Sequence, residues 1–437
     1  MTPKIRGADE IEYFSYLPSL VFDHDLDFED EYTWFYERDP AGLAGFKATF
    51  LDLRDPDSGR HINFGPIGSA LLWSPFYLLA HVATLAARAL GAAVPADGHS
   101  WPYVAAVCYA SALYGFAGLL LVHDTLTRFG RVPDAEAGLA TAALWFGTPV
   151  LYYLTLAPGF AHAPSLFAVS LLVWTSLRAH ALGQSARTRD FVGAGLAGGL
   201  CALVREQDVL FLCIPLGLVA GQAARSGRWL RAAGRLLAVV ASALLVLVPQ
   251  LLTYRALTGR LGPSRLVTRK MDWTSPHFFG VLFDPAHGLF AWSPLLLVAT
   301  AGLGLALWRR RDVPSVLLAL ALLLQVWING ALESWTQAGA FGSRRFVAAT
   351  PMFAWGLSAV AEAARPRLGR VPVAAALALF AWWNVSLMVQ FGLRLMDRQR
   401  LEWPKVAVNQ FTAVPARLGR VAVVFFTDRE RLLREAP

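Results

Sequence analysis

Charge and cysteine are both scarce in this 437-residue chain. Charged side chains make up 16% of it against 56% hydrophobic, where an ordinary soluble domain carries about 25% charged. That shortfall excludes the two or three soluble domains that length alone would suggest. It equally excludes an intrinsically disordered chain and a collagen-like fibre. Only Cys108, Cys201 and Cys213 are present. All three lie in apolar runs without metal-ligand spacing, so they read as buried thiols and no disulfide framework exists. Lysine occurs four times against 35 arginines, a bias that genomic base composition explains as readily as chemistry. Residues Thr2 to Asp9 offer neither an apolar signal core nor a small-residue cleavage site.

What is abundant is apolar sequence in long runs. No charged side chain occurs in 137–177, 236–254, 313–332 or 371–393. Each run reaches the roughly 20 residues needed to cross a hydrocarbon core about 30 Å thick. The composition therefore predicts an all-α polytopic integral membrane protein. Apolar segments fall at 66–90, 102–122, 137–157, 163–182, 191–204, 208–223, 235–254, 288–308, 313–332, 346–364 and 371–391. The pair 191–204 and 208–223 is short, which suits two packed short helices or a re-entrant hairpin. No internal repeat is evident, so the inverted-repeat plan of secondary transporters is not supported.

The formal net charge of +8 conceals an asymmetry. Residues 1–60 hold 14 acidic and 6 basic groups, and the other 377 residues hold 17 acidic and 33 basic. The arginines cluster between apolar runs, as topology determinants do, which argues against nucleic-acid binding. Clusters at Arg128/Arg131, Arg178/Arg187/Arg189, Arg225–Arg235, Arg309–Arg311 and Arg365–Arg370 fall on one side if the ten segments from 102 onward all cross. That side is expected to be the cytoplasm. The same parity places the acidic segment 1–100 outside, with 66–90 as an interfacial, juxtamembrane helix carrying Trp73, Phe76 and Tyr77. The bundle then occupies 101–391. A polar basic tail, 392–437, has nine Lys/Arg, which leaves its side undecided.

Four constellations could carry chemistry. Asp9 and Glu10 open a short amphipathic stretch with Ile11, Phe14, Leu17 and Leu20 at helical spacing. A carboxylate there could take a proton from a hydroxyl nucleophile, or could simply favour the helix N-terminus. The string Asp23, Asp25, Asp27, Glu29, Asp30, Glu31 resembles a calcium loop. It has Phe28 and Trp34 where that loop needs glycine and glutamate, so a solvated acidic loop is the better reading. Arg205, beside Glu206 and Asp208, lies close to membrane depth, where ionisable groups are expensive. With Lys270 in loop 255–287, and Arg344 and Arg345 after Gly339 and Gly342, it could bind lipid phosphate. Salt bridging to the acidic segment would serve the same arginines equally well. His162 stands alone in the charge-free stretch 137–177 and is a candidate second-loop site or a structural hydrogen-bonding group.

Three local features resemble the GT-C superfamily of membrane glycosyltransferases, in the branch of the protein O-mannosyltransferases and lipid A aminoarabinose transferases. They are Asp9-Glu10 followed by Tyr13 and the run to Leu20, Gly65-Pro66 opening an aromatic helix, and the Gly-rich, Arg-bearing loop 334–346. With the span pattern, the likeness covers roughly 1–365. It implies a GT-C-like helix bundle in a bacterial inner membrane, its site facing the exterior. The donor would be a polyprenyl-phosphate-linked sugar and the acceptor a glycan, lipid or protein. Asp9 would match the catalytic carboxylate, the base in an inverting transfer, with Glu10 as the second candidate catalytic residue. Arg205, Arg344, Arg345 and Lys270 would hold the donor phosphate. His162 falls where many relatives have an acidic residue, so no metal ligand carries over and no cofactor is expected. Relatives have a transmembrane helix before the acidic loop, so one is expected upstream of Met1. A transporter or flippase of a lipid-linked anion and a non-catalytic scaffold are the rival readings.

Overall fold

A computed structural model describes residues 3–274, 276–337 and 339–428, without the side chains of 421 and 425. The described residues form helices and turns with no named strand among them, and Arg54 and His61 make an isolated antiparallel bridge. Among the described residues eight helices are long and apolar enough to cross a membrane: Gly68–Ala89, Trp101–Arg128, His162–Ser185, Glu206–Ser226, Trp229–Thr258, Val313–Gly330, Arg344–Leu368 and Arg370–Gly392. The protein is an all-α polytopic membrane protein, as its composition predicts. The part of the basic tail at 429–437 lies outside the described residues.

Contacts divide the chain into two units, one of Pro3–Gly118 with Leu154–Met271, the other of Leu119–Tyr153 with the chain from Asp272 onward. In the first unit the acidic segment is folded. Helices α1 (Ala8–Pro18) and α2 (Glu29–Arg38) pack with α3 (Gly68–Ala89) and α4 (Trp101–Arg128) around an aromatic core. Phe14 meets Phe35 edge-on at 5.7 Å, and Phe28 stacks on Tyr32 at 5.6 Å. The Tyr16 and Tyr32 hydroxyls donate to the Gly65 and Ile62 carbonyls, which ties the chain before α3 to both helices. Five acidic groups of the string 23–31 are exposed, as a solvated loop requires. Glu31 departs from that expectation. It is buried because α2 turns it inward beside Phe28, Tyr32 and Phe35.

The predicted span 137–157 is broken, into α5 (Asp134–Gly147) and α6 (Val150–Thr155). Pro149 disfavours helical backbone at the residue before it, and Thr148 is extended (φ −140°, ψ 172°). The freed carbonyls of Phe146 and Thr148 each accept from Asn384 Nδ2 at 2.9 Å. Helix α7 (His162–Leu182) is followed by the short pair, α8 (Thr188–Val204) and α9 (Cys213–Ser226), joined through extended Arg205 and a 3₁₀ turn, Glu206–Leu212. Helix α10 (Trp229–Thr258) packs on α8 through Gly195 and Gly199. A Cβ on Gly195 would stand 2.3 Å from the Val239 carbonyl oxygen, and one on Gly199 2.5 Å from that of Ala243. Such small-residue faces let helices approach closely where lipid supplies no hydrophobic drive.

After the short α11 (Arg265–Thr268), the second unit continues with α12 (Phe278–Phe283) and α13 (Leu289–Trp292). Then come α14 (Pro294–Arg310), α15 (Val313–Gly330), α16 (Thr350–Leu368) and α17 (Arg370–Gly392). Asp312 caps α15 by accepting from the Ser315 N–H at 2.8 Å. Two further helices, α18 (Trp403–Phe411) and α19 (Ala413–Thr427), close the described chain.

Candidate functional site

The first turn of α1 carries the candidate carboxylates. Gly7 is its extended N-cap, and both acids follow within the turn, where the helix dipole favours negative charge. Glu10 turns back, and its Oε2 accepts from the N–H groups of Arg6 at 2.9 Å and Gly7 at 2.8 Å. Its Oε1 is buried and meets no donor. Burial pushes the Glu10 carboxyl up to about 7. Asp9 is half-buried beside it and acts electrostatically on both Glu10 and Glu12.

The same turn packs against residues 159–162. A Cβ on Gly159 would lie 2.9 Å from Glu10 Oε1, and one on Gly7 3.2 Å from the Phe160 ring. The Phe160 ring stacks on His162, centroids 5.7 Å apart. His162 Nδ1 in turn accepts from Arg205 Nη1. A guanidinium only donates, so the imidazole nitrogen is the acceptor in this contact. Asp208, fully buried, donates its backbone N–H to the Arg205 carbonyl at 2.9 Å and feels the Arg205 charge. Its Oδ2 accepts from Ser165 Oγ at 2.5 Å, while Oδ1 meets no donor. Beside it, Glu206 accepts from the Tyr254 hydroxyl of α10.

Lys270 belongs to this unit as well. Its Nζ lies 5.4 Å from the Phe64 ring centroid and attracts the Glu12 carboxylate. Glu12 is buried, and its Oε1 accepts from the Phe64 N–H at 2.5 Å. Burial, reinforced by the charge of Asp9, pushes its carboxyl up to about 8 against the opposing Phe64 and Gly65 N–H bonds and Lys270.

Of the residues singled out in the sequence, Asp9, Glu10, His162, Arg205 and Lys270 therefore share one unit. Arg344 and Arg345 belong to the other, on a 3₁₀ turn (Arg344–Ala349) leading into α16. Gly339 and Gly342 before them have φ of 74° and 61°, the left-handed region that glycine enters readily. Arg345 donates its N–H to Gln337 Oε1 at 3.2 Å and Nη2 to Ser334 Oγ at 2.9 Å. Among the described residues no three His, Cys, Asp or Glu side chains are grouped to hold a metal ion.

Sequence reasoning missed Glu12, Ser165 and the pairing of His162 with Arg205. A signal was present in two spacings. His162 and Ser165 lie three apart on α7, and Arg205 and Asp208 lie three apart on the facing turn, so each pair presents one polar face to the other.

No family model matches the chain, and no curated protein matches it in sequence. Among solved structures it is similar to the oligosaccharyltransferase of Archaeoglobus fulgidus in its apo form. The TM-score is 0.50 and the identity 14%, over 89% of this chain and 52% of that one. The chain thus spans about half the length of that enzyme. ArnT from Cupriavidus metallidurans, solved bound to undecaprenyl phosphate, aligns at a TM-score of 0.49 and 15% identity over 93% of this chain and 70% of that one. At these identities the likeness concerns architecture: the chain is a polytopic membrane protein with a GT-C-like fold.

Proposed function

We propose that the protein is a glycosyltransferase that moves a sugar from a polyprenyl-phosphate donor to an acceptor hydroxyl at the extracytoplasmic face. The observation that carries this reading is the packing of the acidic first turn of α1 on the turn that holds His162 and, through it, Arg205. A general base and a cation held in one unit of a GT-C-like fold are what transfer from a phosphate carrier requires.

In this reading Asp9 takes the acceptor's proton, and the oxygen so freed attacks the anomeric carbon. The bond from that carbon to the donor phosphate oxygen breaks with inversion. The leaving polyprenyl phosphate departs as a stable anion, so cationic stabilisation matters more than a general acid. Arg205 is the first cation assigned to it, with Lys270 of the same unit as a further phosphate ligand. A guanidinium presents five N–H donors in a rigid fork suited to a phosphate, and His162 meets one of them. Glu10 is given the role of fixing the turn that carries Asp9, because its Oε2 caps the helix. The buried acceptor atoms Glu10 Oε1 and Asp208 Oδ1 suit a ligand rich in hydroxyl donors.

The test uses the chain in lipid nanodiscs with a panel of polyprenyl-phosphate sugars, following release of polyprenyl phosphate. Asp9→Asn is expected to lower release by about 10²–10⁴-fold while donor binding persists, and Arg205→Gln to weaken donor binding itself. Donor movement across the bilayer without release, unchanged in Asp9→Asn, would replace the transferase by a flippase. Failure of every donor to bind would end the proposal.

A further inference from the structure

The chain after α17 folds back as a helical hairpin whose outward face is apolar. Helix α18 is fastened along the second half of α17, from Trp383 to Gln390. Gln390 Nε2 donates to the Val406 carbonyl at 3.3 Å, Gln410 Nε2 to that of Trp383 at 3.4 Å, and Trp403 stacks on Trp383 at 5.2 Å. Val406 and Gln410 are buried by this contact. On the other side of the hairpin, Val408 is 61% exposed, Phe411 77%, Val423 61% and Phe426 83%. Leu418, Ala422 and Phe426 recur every four residues along one face of α19. Arg417 and Arg420, three residues apart, share another, and α19 contains no acidic residue.

We infer that α18 and α19 lie in the bilayer interface at the Gly392 end of α17, with the apolar face among acyl chains and the arginines on anionic headgroups. Two observations select lipid as the occupant. The hairpin begins ten residues after a helix apolar enough to span, so it stays at that helix's membrane end. The charges are basic on a narrow polar face beside a broad apolar one, the pattern of helices that lie on anionic membranes. This placement is independent of the proposed transferase reaction.

The experiment places an environment-sensitive fluorophore on Val423→Cys or Phe411→Cys, with Cys108, Cys201 and Cys213 replaced by serine. The full chain is held in nanodiscs of either phosphatidylglycerol or phosphatidylcholine. Nitroxide lipids labelled near the headgroup are expected to quench the fluorophore at least twofold in phosphatidylglycerol, with little access for aqueous iodide. Arg417→Glu with Arg420→Glu is expected to remove most of that quenching in phosphatidylglycerol and to change little in phosphatidylcholine. Hydrogen exchange on the unmodified chain gives a second readout: 413–427 should exchange at least tenfold more slowly in phosphatidylglycerol. Full iodide access, equal exchange in both lipids, or protection only when two copies share a nanodisc would each overturn the inference.

Discussion

Glu10 and Glu12 sit two residues apart on α1, and burial raises the proton affinity of both. For Glu12 the consequence can be measured. An acid whose folded-state pKa lies above its unfolded value binds more protons when folded, so stability falls as pH rises through that interval. Here the interval runs from the ordinary carboxyl value of about 4.5 to about 8. Glutamine keeps an acceptor for the Phe64 N–H and removes the charge. Glu12→Gln is therefore expected to melt higher than the wild type above pH 8, by on the order of 5 °C. The gain should shrink as pH falls and vanish below pH 4.5, which thermal melts in detergent across pH 4–9 would check. A gain independent of pH would mean that burial of the charge is not its source.

At the scale of elements, the α8–α10 contact depends on missing side chains. A residue larger than glycine at position 199 meets the Ala243 carbonyl and the Val246 Cβ, the latter 2.7 Å from a Cβ placed there. Backbone cannot yield as a flexible side chain can. Gly199→Leu is expected to cost roughly 1–3 kcal/mol or more and to appear as lower yield and a lower melting temperature. Gly193, on the same helix, has open space around it, so Gly193→Leu should melt like the wild type. Equal losses in both variants would trace the effect to helix propensity or solubility and not to packing. The break between α5 and α6 has a different origin. The Thr148-Pro149 step forces it, and Asn384 satisfies the carbonyls it releases.

For the whole molecule, orientation is the property on which the proposed reaction depends. The arginine clusters predict that residues near 128–131, 183–189, 225–235 and 309–311 face the cytoplasm, and that loops 255–287 and 333–345 face outward. Helix α8 has 17 residues and spans about 26 Å, slightly less than a hydrocarbon core. The Arg205 turn at its end is therefore expected to lie just inside the membrane boundary. Single cysteines scanned with an impermeant maleimide on intact cells would test this. Labelling at 262 and 339 without permeabilisation, and at 184 and 227 only after it, is the expected outcome. The reverse pattern would turn the Asp9–Arg205 region inward and remove an extracytoplasmic reaction.

Apolar run length and the lack of charge in the runs were enough to declare an all-helical membrane protein, because an unpaired backbone in lipid leaves a long apolar segment little choice but helix. The short pair around Arg205 was also readable, since span length is a local property; the break at Pro149 is equally local, yet run length alone joins 137–157 into one segment. What could not be read locally is which polar groups meet. His162 and Arg205 are 43 residues apart, as are Ser165 and Asp208, and no periodicity in one helix specifies the neighbour across from it. The acidic string illustrates the same division. Five of its carboxylates are exposed as composition suggests, yet Glu31 is buried because the aromatic side chains around it fix the rotation of α2. Burial, and with it the proton affinity of Glu10 and Glu12, is a property of the packed unit and not of the residue.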